Sequence, residues 1–360
     1  MSQDVYKKML EVMKGRRGEY SGMDIPEFYA LVEGLFTPQE AEVNNALPRK
    51  PANAADIAKE MGRDETEIEQ ILEQMADKGL CTTFVAQDTR FYQGAAFMVG
   101  IFEYQFMPGR VTERDKKIAR LIHNYKKAYE AKKTGRPMTY PLTRVIIVDK
   151  TINAGNTIHT YDQVATYIDK YDTIGVGTCF CRHKAQLLDK DIHDMPNEVC
   201  MLFGKSAEYL IERLGGRKLT KQEAREILDL TEEAGLVHMT RNTTEDIAFM
   251  CNCDRWHCEV ITGVLKQSKP ALFFNSGFLP RFDPDLCEAC ETCIGRCPAD
   301  ALAMGDADVP VVDLDRCFGC AVCATGCPEE AIGMDAKPDF SVPPKDTKEL
   351  VAALKASVAS

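Results

Sequence analysis

Two runs of four cysteines, each closed by a proline, constrain this chain more than any other feature. Cys287, Cys290, Cys293, Cys297 and Pro298 follow the pattern C-x2-C-x2-C-x3-C-P, and Cys317, Cys320, Cys323, Cys327 and Pro328 repeat it at an offset of 30 residues. The flanking text repeats with them, FDPDLCEACETCIGRCPADALAMGDA (282–307) against VDLDRCFGCAVCATGCPEEAIGMDA (312–336), which marks a duplication. There are 15 cysteines in 360 residues, behind an N-terminus, MSQDVYKKMLEVMKG, without the continuous apolar stretch of a secretory signal. That combination points to a reducing, cytoplasmic setting, where bound metal explains the cysteines better than disulfides do. The longest apolar stretch, Ala95 to Phe102, is too short to span a bilayer, so no transmembrane helix is expected.

The spacing suits a cubane iron-sulfur cluster, which needs four thiolates converging on its irons. Three closely spaced cysteines wrap one cube, while the x3 spacer and the helix-opening proline carry the fourth to the other. Zinc ribbons instead pair two cysteines with a distant two. Over about 55 residues the segment resembles the bacterial two-cluster ferredoxins. By that resemblance Cys287, Cys290, Cys293 and Cys327 hold one 4Fe-4S cluster, and Cys317, Cys320, Cys323 and Cys297 hold the other. Gly295, Gly319 and Gly326 are expected to let the backbone approach the cluster sulfurs.

Six further cysteines fall in two rhyming contexts, TCFCRH (Cys179, Cys181) and MCNCDRWH (Cys251, Cys253), with Cys200 and Cys258 nearby. Each C-x-C follows a strand-like run, and residues i and i+2 of an extended chain share a face. Two strand ends are therefore expected to bring Cys179, Cys181, Cys251 and Cys253 to a third metal site. Cys200, Cys258, His183 and His257 are alternative ligands, and Arg182 or Arg255 could hydrogen-bond the sulfurs. Soft thiolates suit iron-sulfur and zinc alike, so a third 4Fe-4S cluster and zinc both stand. The competing reading, cysteines as small buried hydrophobes, fits Cys81 and Cys200 best. His123, His159, His193 and His238 have no paired acid or nucleophile at a recognisable spacing, and GVGT (175–178) is neither a GxGxxG nor a P-loop.

An α+β multidomain chain is expected. Residues 1–108 read as a helical and winged-helix-like domain: ADIAKEMG and DETEIEQILEQMADKGL have helical apolar spacing, and TTFVAQDTRFYQ alternates like a hairpin about Asp88. Residues 109–139 form a basic connecting helix, 112–133, ended by Gly135 and Pro137. Residues 140–280 read as an α/β domain with six cysteines. Its expected strands are 144–150, 172–178, 247–250 and 270–274, and its helices 161–171, 205–214, 220–234 and 256–267. The ferredoxin-type domain occupies 281–336, and 337–360 is a tail with a short helix. A winged-helix-like start, the string VGTCFCRH with PNEVC and CNC, and a terminal two-cluster segment together resemble a family of iron-sulfur proteins of anaerobic metabolism. That resemblance assigns no catalytic residue.

Charge is segregated. Of the net −11, residues 281–335 carry a balance of −9, with 12 Asp/Glu against three Arg, whereas 110–136 carries +7. Each bound cluster adds roughly two more negative charges to the acidic segment. A redox partner with a basic face is expected. The second helix of the winged-helix-like part bears Asp64, Glu65, Glu67, Glu69, Glu73 and Asp77 against Lys78 alone, which argues against nucleic acid. The expected function is electron transfer through two 4Fe-4S clusters, as a protein or a subunit. The alternatives are an oxidoreductase component whose third metal site is catalytic, and a redox-sensing winged-helix regulator.

Overall fold

The computed structural model describes residues 2–16, 20–133, 140–147, 164–245, 247–338 and 340–359. From the N-terminus run helices α1 (Ser2–Arg16), α2 (Pro26–Leu35), α3 (Pro38–Ala46), α4 (Ala54–Met61) and α5 (Glu65–Asp77). Strands β1 (Cys81–Ala86) and β2 (Thr89–Gly94) and helices α6 (Ile101–Phe106) and α7 (Glu113–Lys132) follow. The middle of the chain runs β3 (Thr143–Val145), α8 (Val164–Lys170), β4 (Ile174–Gly177), α9 (Phe180–Leu187), β5 (Cys200–Phe203) and α10 (Lys205–Arg213). It continues as β6 (Arg217–Leu219), α11 (Lys221–Glu233), β7 (Val237–Arg241), β8 (Phe249–Cys253) and α12 (Ile261–Val264). Last come β9 (Phe274–Asn275), β10 (Phe278–Phe282), α13 (Thr292–Arg296), β11 (Leu302–Met304), β12 (Pro310–Val312), α14 (Val322–Thr325), β13 (Ile332–Ala336) and α15 (Thr347–Ala359).

This mixed α/β chain divides into two compact units that interleave along the sequence. The first comprises Met1–Gly135 with Gly177–Asp191 and Ala207–Arg217; the second comprises Arg136–Val176, Ile192–Ser206 and Lys218–Ser360. Two segments of the region expected as one middle domain thus pack with the N-terminal part, and the rest shares a unit with the cysteine repeats.

In the first unit local signals start the helices. Thr37 and Glu40 form a capping box on α3, Asn53 and Asp64 cap α4 and α5, and Thr112 with Asp115 opens α7. The buried stripe of α7, Ile118, Ala119, Ile122 and Tyr125, packs against α2, where Phe28 meets the Tyr125 ring at 5.9 Å. β1 and β2 pair antiparallel about Gln87 and Asp88, both at positive φ, the two-residue turn that matches strand twist. Helix, turn, longer helix and hairpin lie where the apolar spacing puts them.

The second unit is built on a seven-stranded sheet of order β6-β4-β5-β8-β7-β3-β9. β5, β8, β7 and β3 pair antiparallel in turn, and β9 joins β3 in parallel. Thr220 and Glu223 close the expected capping box on α11.

The structure corrects several local expectations. TCFCRH does not continue as a strand, because Cys179 is the N-cap of α9 and Cys181 lies in its first turn. PALFF begins as a 3-10 turn over Pro270–Phe273 and becomes extended only at Phe274. Of the helix expected over 256–267 only Ile261–Val264 forms, and the strand expected at 247–250 starts two residues later. Gly135, Pro137, residues 148–150 and 161–163, and His159 lie outside the described residues. No helix among the described residues is long and apolar enough to cross a membrane.

Candidate metal centre

The two cysteine repeats fold alike. In the first, β10 leads to the cysteine loop, α13 and β11; in the second, β12 leads to its loop, α14 and β13. β10 pairs with β13 and β11 with β12, both antiparallel, so each repeat is completed by strands of the other. The backbone repeats in detail. Positive φ recurs at Ala289 and Gly319, Glu291 and Ala321, and Asp300 and Glu330, each pair 30 residues apart. Left-handed residues in such loops turn successive N–H groups inward, the arrangement that receives anionic sulfur.

Cys287, Cys290, Cys293 and Cys327 line one cavity of about 350 Å³, counted to its open mouth, with the carboxylates Glu288, Glu291 and Glu329 around it. Cys297, Cys317, Cys320 and Cys323 line another of about 330 Å³, walled by Pro280, Leu302, Phe318 and Met334. Each cavity takes three cysteines from one repeat and the fourth from the other. These are the two quartets that the ferredoxin resemblance implies.

Backbone amides serve the sulfurs. Gly319 N–H reaches Cys317 Sγ at 3.4 Å, and Ala301 N–H reaches Cys297 Sγ at 3.3 Å. The amides of Thr292 and Val322 do the same for Cys290 and Cys320, again 30 residues apart. The thiols of the two cavities differ in exposure. Cys290 is exposed, and its thiol is held below the usual range by the Thr292 hydroxyl, 3.4 Å away, and by that residue's amide. Burial pushes the Cys317, Cys320 and Cys323 thiols up. Four bare thiolates are costly in such a wall, so a cationic, sulfur-seeking core that neutralises them fits the donor set.

Of the three glycines expected to matter, only Gly319 is held by close backbone. It has φ +63, and a Cβ there would collide with the Phe278 carbonyl and the Ser276 hydroxyl. A Cβ on Gly326 would strike the Arg296 side chain, and Gly295 faces open space. Ser276 escaped sequence reasoning. Its hydroxyl donates to the Gly319 carbonyl at 3.0 Å and pins the second cysteine loop, and only the Asn-Ser-Gly turn at 275–277 hints at it.

The remaining cysteines divide between the units. Cys179 and Cys181, both buried, belong to the first; Cys200, Cys251, Cys253 and Cys258 belong to the second. His183 Nε2 bonds the Arg110 carbonyl at 2.8 Å, and its ring lies against Phe106. Arg255 does not turn to the sulfurs of Cys251 and Cys253. It pairs with Asp300 at 2.6 Å and donates to the Cys297 carbonyl at 3.2 Å. Cys81 is fully buried, its thiol pushed up to about 12 by burial, as a packing cysteine should be. Among the described residues, no three His, Cys, Asp or Glu side chains are close enough to hold a single metal ion.

A model of the 4Fe-4S binding domain family matches residues 280–303, which span the first cysteine repeat. No curated protein and no solved structure matches the chain. The C-terminal part is thus an iron-sulfur domain of ferredoxin type.

Proposed function

We propose that the chain is an electron-transfer protein, or the electron-transfer subunit of a larger redox assembly, serving anaerobic metabolism in the reducing cytoplasm through two 4Fe-4S clusters. The observation that carries this reading is the pair of cavities, each lined by four cysteines drawn from both repeats. Cys287, Cys290, Cys293 and Cys327 would hold one cluster, and Cys297, Cys317, Cys320 and Cys323 the other. When bound, such a cluster takes up and returns one electron at a time. The chain's own part is to hold the sulfurs in fixed loops, donate amide hydrogens to them and wall the second cavity with apolar side chains. Exposed Cys290 makes the first cavity the side from which a partner is reached.

The acidic surround of that cavity supports a basic protein partner. The exposed Glu65 and Glu69 of α5 support the exclusion of nucleic acid, since they would repel phosphate; Glu67, Glu73 and Asp77 are paired with Arg63 and Arg213 and count for less. The test is anaerobic reconstitution of the full chain with iron and sulfide. Cys290→Ala and Cys320→Ala should each remove about four irons per chain, and Cys81→Ala none. Unchanged iron in both cavity variants overturns the reading.

A further inference from the structure

A second group of thiols gathers in the same unit, outside both cavities. β8 extends through Cys251, Asn252 and Cys253, so the two cysteines share one face of the sheet and Asn252 takes the other. On that other face Asn252 Oδ1 lies 2.6 Å from His238 Nδ1. The cysteine face carries Met239 and Val237 of β7, paired with Cys251 and Cys253, and packs into a core that also holds Cys258, Cys293, Cys297 and Cys323. Immediately after β8 the buried Asp254 accepts the amides of Trp256 at 2.8 Å and His257 at 2.6 Å on one oxygen. That turn brings Cys258 back, and the Cys253 thiol lies within hydrogen-bonding reach of both Cys251 and Cys258. On the neighbouring strand Met201 pairs with Met250 and Leu202 with Phe249; one further step of this register sets Cys200 opposite Cys251. The Ile261 amide points at Cys258 Sγ from 3.5 Å.

We propose that Cys200, Cys251, Cys253 and Cys258 hold a third iron-sulfur cluster of the 4Fe-4S type. Cys200 and Cys258 stand here in place of Cys179 and Cys181 in the set expected from the C-x-C pairs. Three segments of the chain, β5, β8 and the turn after it, bring four thiols to the neighbourhood of Cys253. Among the described residues no three such side chains close round a single ion, and a cube, whose four ligands stand farther apart, suits the set better than one zinc ion. A cube also spreads its negative charge over many atoms, and the cost of burying a charge falls as its radius grows. The site adjoins the second cavity, since the Arg255 of its turn donates to the carbonyl of Cys297, a liner of that cavity.

The proposal stands independently of the two-cluster reading, and one set of full-length variants separates them. After anaerobic reconstitution, iron, sulfide and zinc are counted per chain. Wild type should hold about twelve irons. Cys253→Ala should lose about four of them and keep those that Cys320→Ala removes, and the double variant should lose both sets. Cys258→Ser, in the turn, should match Cys253→Ala, and it decides the matter where the strand variant fails to fold. Cys179→Ala/Cys181→Ala should keep the full complement. Full iron in Cys258→Ser, loss of one zinc and no iron, or loss of the third set of irons in the Cys179→Ala/Cys181→Ala chain each overturns the proposal.

Discussion

Gly319 shows how one residue can decide whether a cysteine loop closes. A methyl group there meets the Phe278 carbonyl at a left-handed backbone position, so Gly319→Ala should cost about 1–3 kcal/mol and loosen the second cavity. Gly295→Ala, on a helix facing open space, should be neutral or slightly stabilising. Thermal unfolding and retained iron of the two variants, compared side by side, check the contrast; equal behaviour would refute it. A different residue sets a pH dependence. Burial first, and Lys126 second, hold the Lys184 ammonium down to about 7. The unfolded chain then binds the proton more tightly, and stability should rise as pH climbs from about 7 towards 10.5, the ordinary lysine value. Lys184→Met should raise the melting temperature at pH 7 and remove that part of the rise, and melts across pH 7–9 read it. Residue identity was most legible where chemistry is local. Cysteine spacing along the chain survives any fold, so the grouping of the eight repeat cysteines round two cavities could be read directly, whereas Ser276 matters only through a contact 43 residues away.

Between elements, short spacings mislead. A C-x-C suits a strand of period two, yet the residues after Cys179, FCRHKAQL, favour helix, and α9 begins there, whereas the similar pair at Cys251 and Cys253 does lie on a strand. β5 and β7 also went unread. The apolar CMLF of β5 fits strand and buried helix equally, and VHMTR of β7 is too short for its alternation to stand out, so only pairing with β8 selects the strands. Capped helices were legible because the cap lies beside the helix it starts, as at Thr112 and Thr220. Long-range fastening was not. Within the first unit α10 is tied to α5 and β1 by Tyr209, whose hydroxyl donates to the Ala76 and Cys81 carbonyls at 3.0 and 2.8 Å. The Arg213 guanidinium adds its bonds to Glu73 and Asp77. Tyr209→Phe should cost about 1 kcal/mol and Arg213→Ala about 1–3 kcal/mol, the larger because its partners are charged. The double variant should cost less than the sum, since both side chains fasten the same helix, and denaturant unfolding of the four chains tests that coupling.

Over the whole molecule the decisive quantity is where the charge lies. A balance of −9 in residues 281–335 accounts for most of the net −11, and three of its carboxylates line the cavity that holds the exposed Cys290. Glu288, Glu291 and Glu329 are all exposed and all line that cavity, a placing that would draw a basic protein towards Cys290 before any contact formed. Steering of this kind acts through solvent, where salt at 0.1 M limits its range to about 10 Å. The rate at which the reduced, cluster-loaded chain passes electrons to a basic one-electron acceptor protein should therefore fall about tenfold or more between roughly 20 mM and 300 mM salt. With an acidic acceptor the trend should reverse, because screening then removes repulsion. Glu288→Lys/Glu329→Lys changes the local balance by four charges and leaves every cysteine in place. It should slow the basic acceptor at low salt, speed the acidic one, and leave the iron content unchanged. Stopped-flow rates across the salt series measure all three, and a rate with the basic acceptor that ignores both salt and the charge reversal would show that partners dock elsewhere.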